Sequence, residues 1–383
     1  MPLQIALTPA ERTEFEETLF RPHTIRARAH MLDLNHNFVA DITEALDSGQ
    51  VNFDTESTTL RSASVVLFDP TYELGFDRPN ELGSSLGPTV LVRLWRDVWL
   101  PKAERWVEVP LFTGPVTAVS RDGDLLNVEL QSKVFLSQDK LWSPITIKRG
   151  TNRATAIRTV LVACGETKWG WNAATSQKLT ADASFAQDVT YWDAAKSLAD
   201  SLGWVLYYNA WGHLNFGSPN SSVSFTYRTG NGGAILSTPK IQYNAASVIN
   251  SVRVVGGTPK GAKAPVTATA KAPADHPLSP QNLGRGGKLR HVWSDITNDK
   301  LTTKTQAQNA ANAELNKALL ENVEISFDAL VYPILDETDL IRVQTDDFTV
   351  NCRFNKSSVP LTSEGTASVG YLTRVTKPRR KKK

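Results

Sequence analysis

The sequence predicts a mainly β fold with an α+β insert, in which two antiparallel β-barrel-like domains flank a small α+β domain. Three observations carry this. Strand-length segments with alternating apolar positions fill the first third of the chain and return after residue 221. Short turn signals separate them at regular intervals, the pattern of a barrel or sandwich. Between the two regions the apolar period lengthens from two to 3.6 residues.

Residues 1–22 read as an N-terminal arm with one helix over Thr8–Leu19. Thr8-Pro9-Ala10-Glu11 opens it as a capping box with proline at the first helical position. Residues 23–145 form the first barrel domain. In HTIRARAHMLDLN, Ile25, Ala27, Ala29 and Met31 face one way and Arg26, Arg28 and His30 the other. Pro101–Glu104 is a hairpin turn between TVLVRLWRDVWL and RWVEVPLFTG, and Asp122-Gly123 turns the next hairpin. Residues 146–220 form the insert. Its first helix spans Thr151–Cys164, with Ala154, Ile157, Val160, Leu161 and Cys164 as the stripe and Gly165 as the stop. The second runs Tyr191–Leu202, capped by Thr190 and ended by Gly203. WVLYY then pairs with HLNF across Asn209–Gly212.

Residues 221–376 form the second barrel domain. Val248, Asn250, Val252 and Val254 share one strand face, and a Pro333–Asp339 corner interrupts the strand pattern of Val323–Val343. Thr258–Gly287, rich in Gly, Ala and Pro, predicts a long mobile loop at 258–287. One helix, 303–320, carries an alanine stripe at Ala307, Ala310, Ala311 and Ala318, and Asn322 supplies its stop. Residues 377–383 are a basic tail.

The chain has 383 residues, enough for two or three domains. Formal net charge is +3, but six positive charges sit in Lys377–Lys383, so the remainder carries −3 and implies no basic face for nucleic acid. The tail reads as a solvated, solubilising end. No run of about 18 apolar residues predicts a membrane-spanning helix. The N-terminus shows no basic run followed by an apolar one, which argues against a secretory signal. Cys164 and Cys352, the only cysteines, are expected as core thiols.

Candidate chemistry is sparse. Asp33, Asn35, Asn37, Asp41 and Glu44 match calcium-loop spacing, but Phe38 occupies the position that needs glycine, so a polar strand connection is expected. His23, His30, His36, His213, His276 and His291 are scattered without zinc-ligand spacing. No G-x-S-x-G elbow occurs, and Gly284–Gly287 precedes no helix, against a phosphate cradle. Asp336, Glu337 and Asp339 read as solvated turn carboxylates rather than an acid–base pair. Trp169, Trp171, Trp192, Trp204 and Trp211 suggest an aromatic core or subunit interface ahead of a glycan-stacking face. No catalytic residue, cofactor-binding residue, metal ligand or cofactor is expected, and the chain is read as not an enzyme.

Five segments in order then resemble the bacteriophage tail-hub family (baseplate hub or minor tail protein). They are ATAIRTVLVACGE, YWDAAKSLADSLGWVLYYNAWGHLNFG, YNAASVINSVRVVGG, AQNAANAELNKALL and ISFDALVYPILDETDLIRVQ. Asn250, Val252, Val254 and Gly256 fall on the family's N-x-V-x-V-x-G strand, and Pro333, Leu335, Asp339, Leu340 and Val343 on its later corner and strand. Glu337-Thr338 stand where many relatives carry a glycine before the aspartate. The resemblance spans Asn152–Val375.

It implies a virion structural protein at the distal end of the tail. Three copies would close a pseudo-sixfold ring, because each offers two similar barrels and ring closure removes exposed sheet edges. Implied partners are the distal tail or tail tube protein, the tape measure protein and a tip, spike or receptor-binding protein. DNA would pass through the lumen without specific recognition. The competing readings are a tail-associated cell-wall hydrolase and a glycan- or receptor-binding tail protein.

Overall fold

A computed structural model describes residues 5–74, 86–230, 232–243, 248–259, 261–299, 301–320, 323–336, 338–362 and 366–373. The basic tail at 377–383, Asn322 and Glu337 lie outside the described residues.

The fold is mainly β, with a few helices. Helix α1 (Pro9–Leu19) starts with the capping box: Thr8 Oγ1 accepts from the Glu11 amide and Glu11 accepts from the Thr8 amide. Eight strands follow: β1 (Ile25–Asp33), β2 (Phe38–Asp41), β3 (Leu46–Asp54), β4 (Arg61–Phe68), β5 (Val90–Leu100), β6 (Arg105–Val107), β7 (Pro110–Asp122) and β8 (Leu125–Gln131). The β5–β6 hairpin turns at Pro101–Glu104, and Gly123 takes φ +59° in the β7–β8 turn. Strand β7 pairs with β5 over its first half and with β8 over its second, with a register shift between them.

The α+β region contains α2 (Val134–Ser137), β9 (Ile145–Ile147), α3 (Arg153–Ala163), β10 (Trp169–Asn172), β11 (Ala183–Phe185), α4 (Tyr191–Asp200), β12 (Val205–Tyr208) and β13 (Leu214–Gly217). Asn152 caps α3 through two backbone amides, and Gly165 ends it at φ +91°. Thr190 caps α4. The stripes face each other, burying Ile157, Val160, Leu161, Trp192, Ala195 and Leu198 in one core.

The remaining strands are β14 (Val223–Arg228), β15 (Lys240–Tyr243), β16 (Ser251–Gly256), β17 (Thr267–Lys271), β18 (Trp293–Asn298), β19 (Val323–Ala329), β20 (Leu340–Gln344), β21 (Thr349–Pro360) and β22 (Ala367–Thr373), with α5 (Lys304–Leu320) between β18 and β19. The 258–287 segment, expected as a mobile loop, instead carries β17. Ala268, Ala270 and Ala272 are buried there with Leu278, and α5 presents Ala307 and Ala311 to the same core. Small side chains on both partners allow close packing without the large apolar residues that mark a strand in sequence. Strand β16 belongs to this three-stranded sheet, in the order β17-β16-β18.

The two strand-rich regions share a sheet. Its path runs β15-β19-β22-β21-β3-β4-β8-β7-β5-β1-β2, and β21 pairs with β3 to join the C-terminal region to the N-terminal one. One apolar core underlies both, including Val51, Val65, Leu130, Phe327, Val359 and Tyr371.

Candidate functional site

The extended feature of this fold is the outer face of its first eight strands, β15 through β7. Directly opposed residues in an antiparallel ladder share a face, so the register fixes what that face displays. One row runs Asp328, Ser368, Ser358, Asn52, Ser62, Gln131. The next runs Pro360, Gln50, Ser64, Glu129, Ala118. A third runs Lys240, Ser326, Gly370, Lys356, Asp54. The alternate positions are the core: Val359, Val51, Ala63 and Leu130 form one inward row. One surface in which serine, asparagine, glutamine and charged side chains predominate therefore crosses six or more strands drawn from both ends of the sequence.

The face is weakly acidic. Asp54, Asp122, Glu129, Glu324 and Asp328 outnumber Lys240, Lys356 and Arg353. Lys356 is held by Glu56 at 3.1 Å and Asp54 at 3.5 Å, and the hydrogen bond to Glu56, with the Asp54 charge beside it, raises its pKa. Gly370 leaves room in its row, because a Cβ there would sit 2.8 Å from Glu324 Oε1.

Buried ionic contacts hold the two regions in register. Asp336 pairs with Arg61 of β4, both almost fully buried; Arg61 also donates to the Leu111 carbonyl at 3.0 Å and lies 4.5 Å from the Phe53 ring centroid. Arg96 of β5 donates to the Pro360 and Thr362 carbonyls, each at 2.8 Å. Burial pulls the Arg96 pKa down to about 10. Asp339 accepts from the Ser224 hydroxyl and the Asp336 amide, and burial raises its pKa. Asp336 and Asp339 are thus structural, correcting the expectation of solvated turn carboxylates. A turn preference is local, and it is overridden here by a cation roughly 275 residues away in sequence.

The resemblance motifs have physical roles as well. Asn250, fully buried, donates to the Arg290 carbonyl and accepts from the Val292 amide. Val252 and Val254 pack against α5, and Gly256 is where the Leu301 carbonyl approaches, 2.2 Å from the position of an added Cβ.

The other expected candidates fall as follows. The Asp33 carboxylate accepts from the Asn35 and Asn37 amides within its own turn, and Asp41 accepts from the Thr43 amide. Among the described residues no group of three or more His, Cys, Asp or Glu has metal-holding geometry. Gly286 and Gly287 take φ +59° and +73° in a turn closed by Arg285 and Lys288. Trp192 stacks on Tyr208 and Trp204 on Phe216 inside the α+β core, while Trp211 takes Arg93 on its face. Both cysteines are free thiols. Ser251 and His291 lie 2.8 Å apart, but the Ser251 hydroxyl is fully buried and donates to Asn250 Oδ1, which leaves it no access as a nucleophile. No helix among the described residues is long and apolar enough to cross a membrane.

Sequence reasoning missed the joint between the first sheet and the α+β region. His36 and His213 stack at 5.8 Å, and Arg93 bridges His36 Nδ1, the Thr113 hydroxyl and the Trp211 carbonyl. The Lys133–Glu166 pair is buried beside them at 2.8 Å. Burial, with Lys133 and Arg93 nearby, lowers the His36 pKa to about 3, and burial lowers that of His213. Because the folded value lies below the unfolded one, the neutral ring's contribution is intact above about pH 6.5 and is lost as pH falls toward 3. Thermal melting from pH 7 to 4 should show His36→Gln losing less stability than the parent, by about 1–3 kcal/mol at pH 4. Parallel pH profiles would contradict this.

No family model matches the sequence, and no curated protein matches it at significance. Solved structures do. A tail protein from Neisseria meningitidis MC58 superposes with TM-score 0.60 at 12% identity, covering 91% of this chain and 97% of that one. The prophage MuSo2 43 kDa tail protein from Shewanella oneidensis gives 0.58 at 11%, covering 91% and 98%. Prophage tail protein gp18 from Listeria monocytogenes EGD-e gives 0.54 at 12%, covering 90% and 94%. The chain shares the fold of these phage tail proteins.

Proposed function

We propose that this chain is a non-enzymatic structural hub of a bacteriophage-type tail tip, acting as a homotrimer. Each copy supplies two strand-rich regions, so three copies imitate sixfold symmetry. The ring connects a tail tube or distal tail protein on one side to a tip, spike or receptor-binding protein on the other.

The observation that supports this best is the largely polar face over β15 to β7, on which Phe68 and Leu125 are the exposed apolar residues at one end. A sheet that merely closes a domain has one face in the core and a mixed surface outside. Here the central rows of the outer face are rich in hydroxyl and amide side chains and weakly acidic, with residues drawn from both regions. As a channel wall it would present few cations to DNA phosphates, and each cation contact would retard sliding. The tape measure protein would occupy the channel first and DNA would follow.

The test is the mass of the purified chain in solution together with its position in purified particles, located by a tag. Three copies at the distal tail end are expected. A monomer at all concentrations that is absent from particles would overturn the reading. Release of soluble fragments from bacterial cell walls by the purified protein would overturn its non-enzymatic part.

A further inference from the structure

We propose that the outer face of β1, β5 and β6 carries a binding site for a saccharide chain bearing an acid group. The site goes beyond the hub reading and does not depend on it. Its centre is a cavity of about 220 Å³ between α1 and the end of β5. That exceeds the roughly 150 Å³ that accommodates a benzene ring, so one six-membered ring fits. Trp99 forms one wall, and Thr18 and Thr24 add hydroxyls.

The aromatic wall continues outside the cavity. Register places Trp99 opposite Trp106 and Arg26 opposite Asp97, all on one face of the sheet. The Trp99 and Trp106 rings meet edge to face with centroids 5.5 Å apart. The Arg26 guanidinium carbon lies 4.6 Å from the Trp106 ring centroid. Asp97, fully buried, accepts from Arg26 Nε at 2.9 Å and from Arg28 Nε at 2.6 Å. These contacts hold the Arg26 guanidinium by its inner edge. Its two terminal nitrogens have no partner among the described residues, and its side chain is 41% exposed. A guanidinium held this way is arranged for a two-point contact with a carboxylate or phosphate.

Charge and chemistry then choose the ligand. Lys102 pairs with Glu17 at 3.1 Å, its amide donates to Glu14, and Arg28 reaches Glu108 at 3.1 Å. Carboxylates therefore balance the cations around the cavity, a poor match for the closely spaced phosphates of nucleic acid. The same carboxylates, with the threonines, accept hydrogen bonds from sugar hydroxyls. An indole packs its face against the apolar side of a sugar ring. His23 Nδ1 donates to the Arg21 carbonyl at 2.7 Å, which leaves Nε2 as its free ring nitrogen. A sugar ring in the cavity with an acid group on Arg26 uses all of these groups, whereas a neutral sugar leaves Arg26 unused.

The test is isothermal titration calorimetry of the full-length chain with trigalacturonic acid, maltotriose and a thymidine trinucleotide. Trigalacturonic acid should bind with a Kd of about 1 mM, roughly tenfold tighter than maltotriose. Arg26→Gln should bring the two sugars within about twofold of each other, and Trp99→Ala should abolish binding of both. Arg26→Gln leaves Arg28 on Asp97 and so keeps the fold, which makes the comparison independent of how Trp99→Ala folds. Three results would each overturn the site: no saturable binding of trigalacturonic acid by about 10 mM, equal affinity of the parent for the two sugars, or an Arg26→Gln variant that discriminates as the parent does. Tighter binding of the trinucleotide than of trigalacturonic acid would also overturn it. None of these outcomes bears on trimeric mass or position in particles, so the hub reading is tested separately.

Discussion

Asp336→Ala is expected to cost about 3–5 kcal/mol, measured by denaturant unfolding, because it removes a buried carboxylate partner of the Arg61 guanidinium in the core that joins the two strand-rich regions. Arg61 also donates to the Leu111 carbonyl and lies over the Phe53 ring. The asymmetry is the informative part. Removing one member of a buried pair leaves a desolvated ion, whereas replacing both with apolar residues of similar size is often near neutral. Arg61→Met combined with Asp336→Leu should therefore recover most of the loss. If the double variant is as unstable as Asp336→Ala, the pair is not what joins the regions. If Asp336→Ala costs under about 1 kcal/mol, the pair behaves as a surface ion pair and the assignment fails.

The second large effect is expected at Gly114, where β7 leaves β8 for β5. A Cβ at this position would lie 1.9 Å from the Gln131 carbonyl oxygen and 2.8 Å from the Phe112 ring. The obstacle is backbone in a strand paired on both flanks, so it has no cheap way to retreat. Gly114→Ala should cost about 2–3 kcal/mol in the same unfolding measurement, at the upper end of overpacking penalties. Gly123→Ala is the control. Its position is open, with nothing within 4 Å of an added Cβ, but its φ of +59° favours glycine. That substitution should cost only about 1 kcal/mol. Equal losses at the two sites would contradict a steric role for Gly114.

The parts legible in the sequence were those governed by neighbours along the chain. Thr8 and Glu11 specify their capping box within four residues, and Thr190 and Gly165 mark helix ends in the same way. The Asp122-Gly123 turn and the Asn209–Gly212 turn likewise carry their own conformational requirements. Alternation in Leu125–Gln131 shows one buried and one solvated face. What the pattern cannot name is the strand lying alongside.

The β3–β21 ladder joins residues about 300 positions apart, and it decides that the two regions share a sheet. Strand β17 escaped because its buried positions are alanines that lie against the alanines of α5. The apolar contrast that normally distinguishes a strand from a loop is weak there. Asp336 looked solvated because its turn chemistry is local while its cation is not. The polar face was invisible for the same reason as the shared sheet: Asn52, Ser62, Ser358 and Ser368 are unremarkable singly and become a surface only through the register.

An image reconstruction of the assembled ring by electron cryomicroscopy, at a resolution that shows side chains, decides whether the polar face lines a channel. Three copies should surround a channel whose wall carries the row Asp328, Ser368, Ser358, Asn52, Ser62 and Gln131 from each copy. A ring in which this face points outward, or a particle holding a single copy with the face buried against another protein, would contradict it.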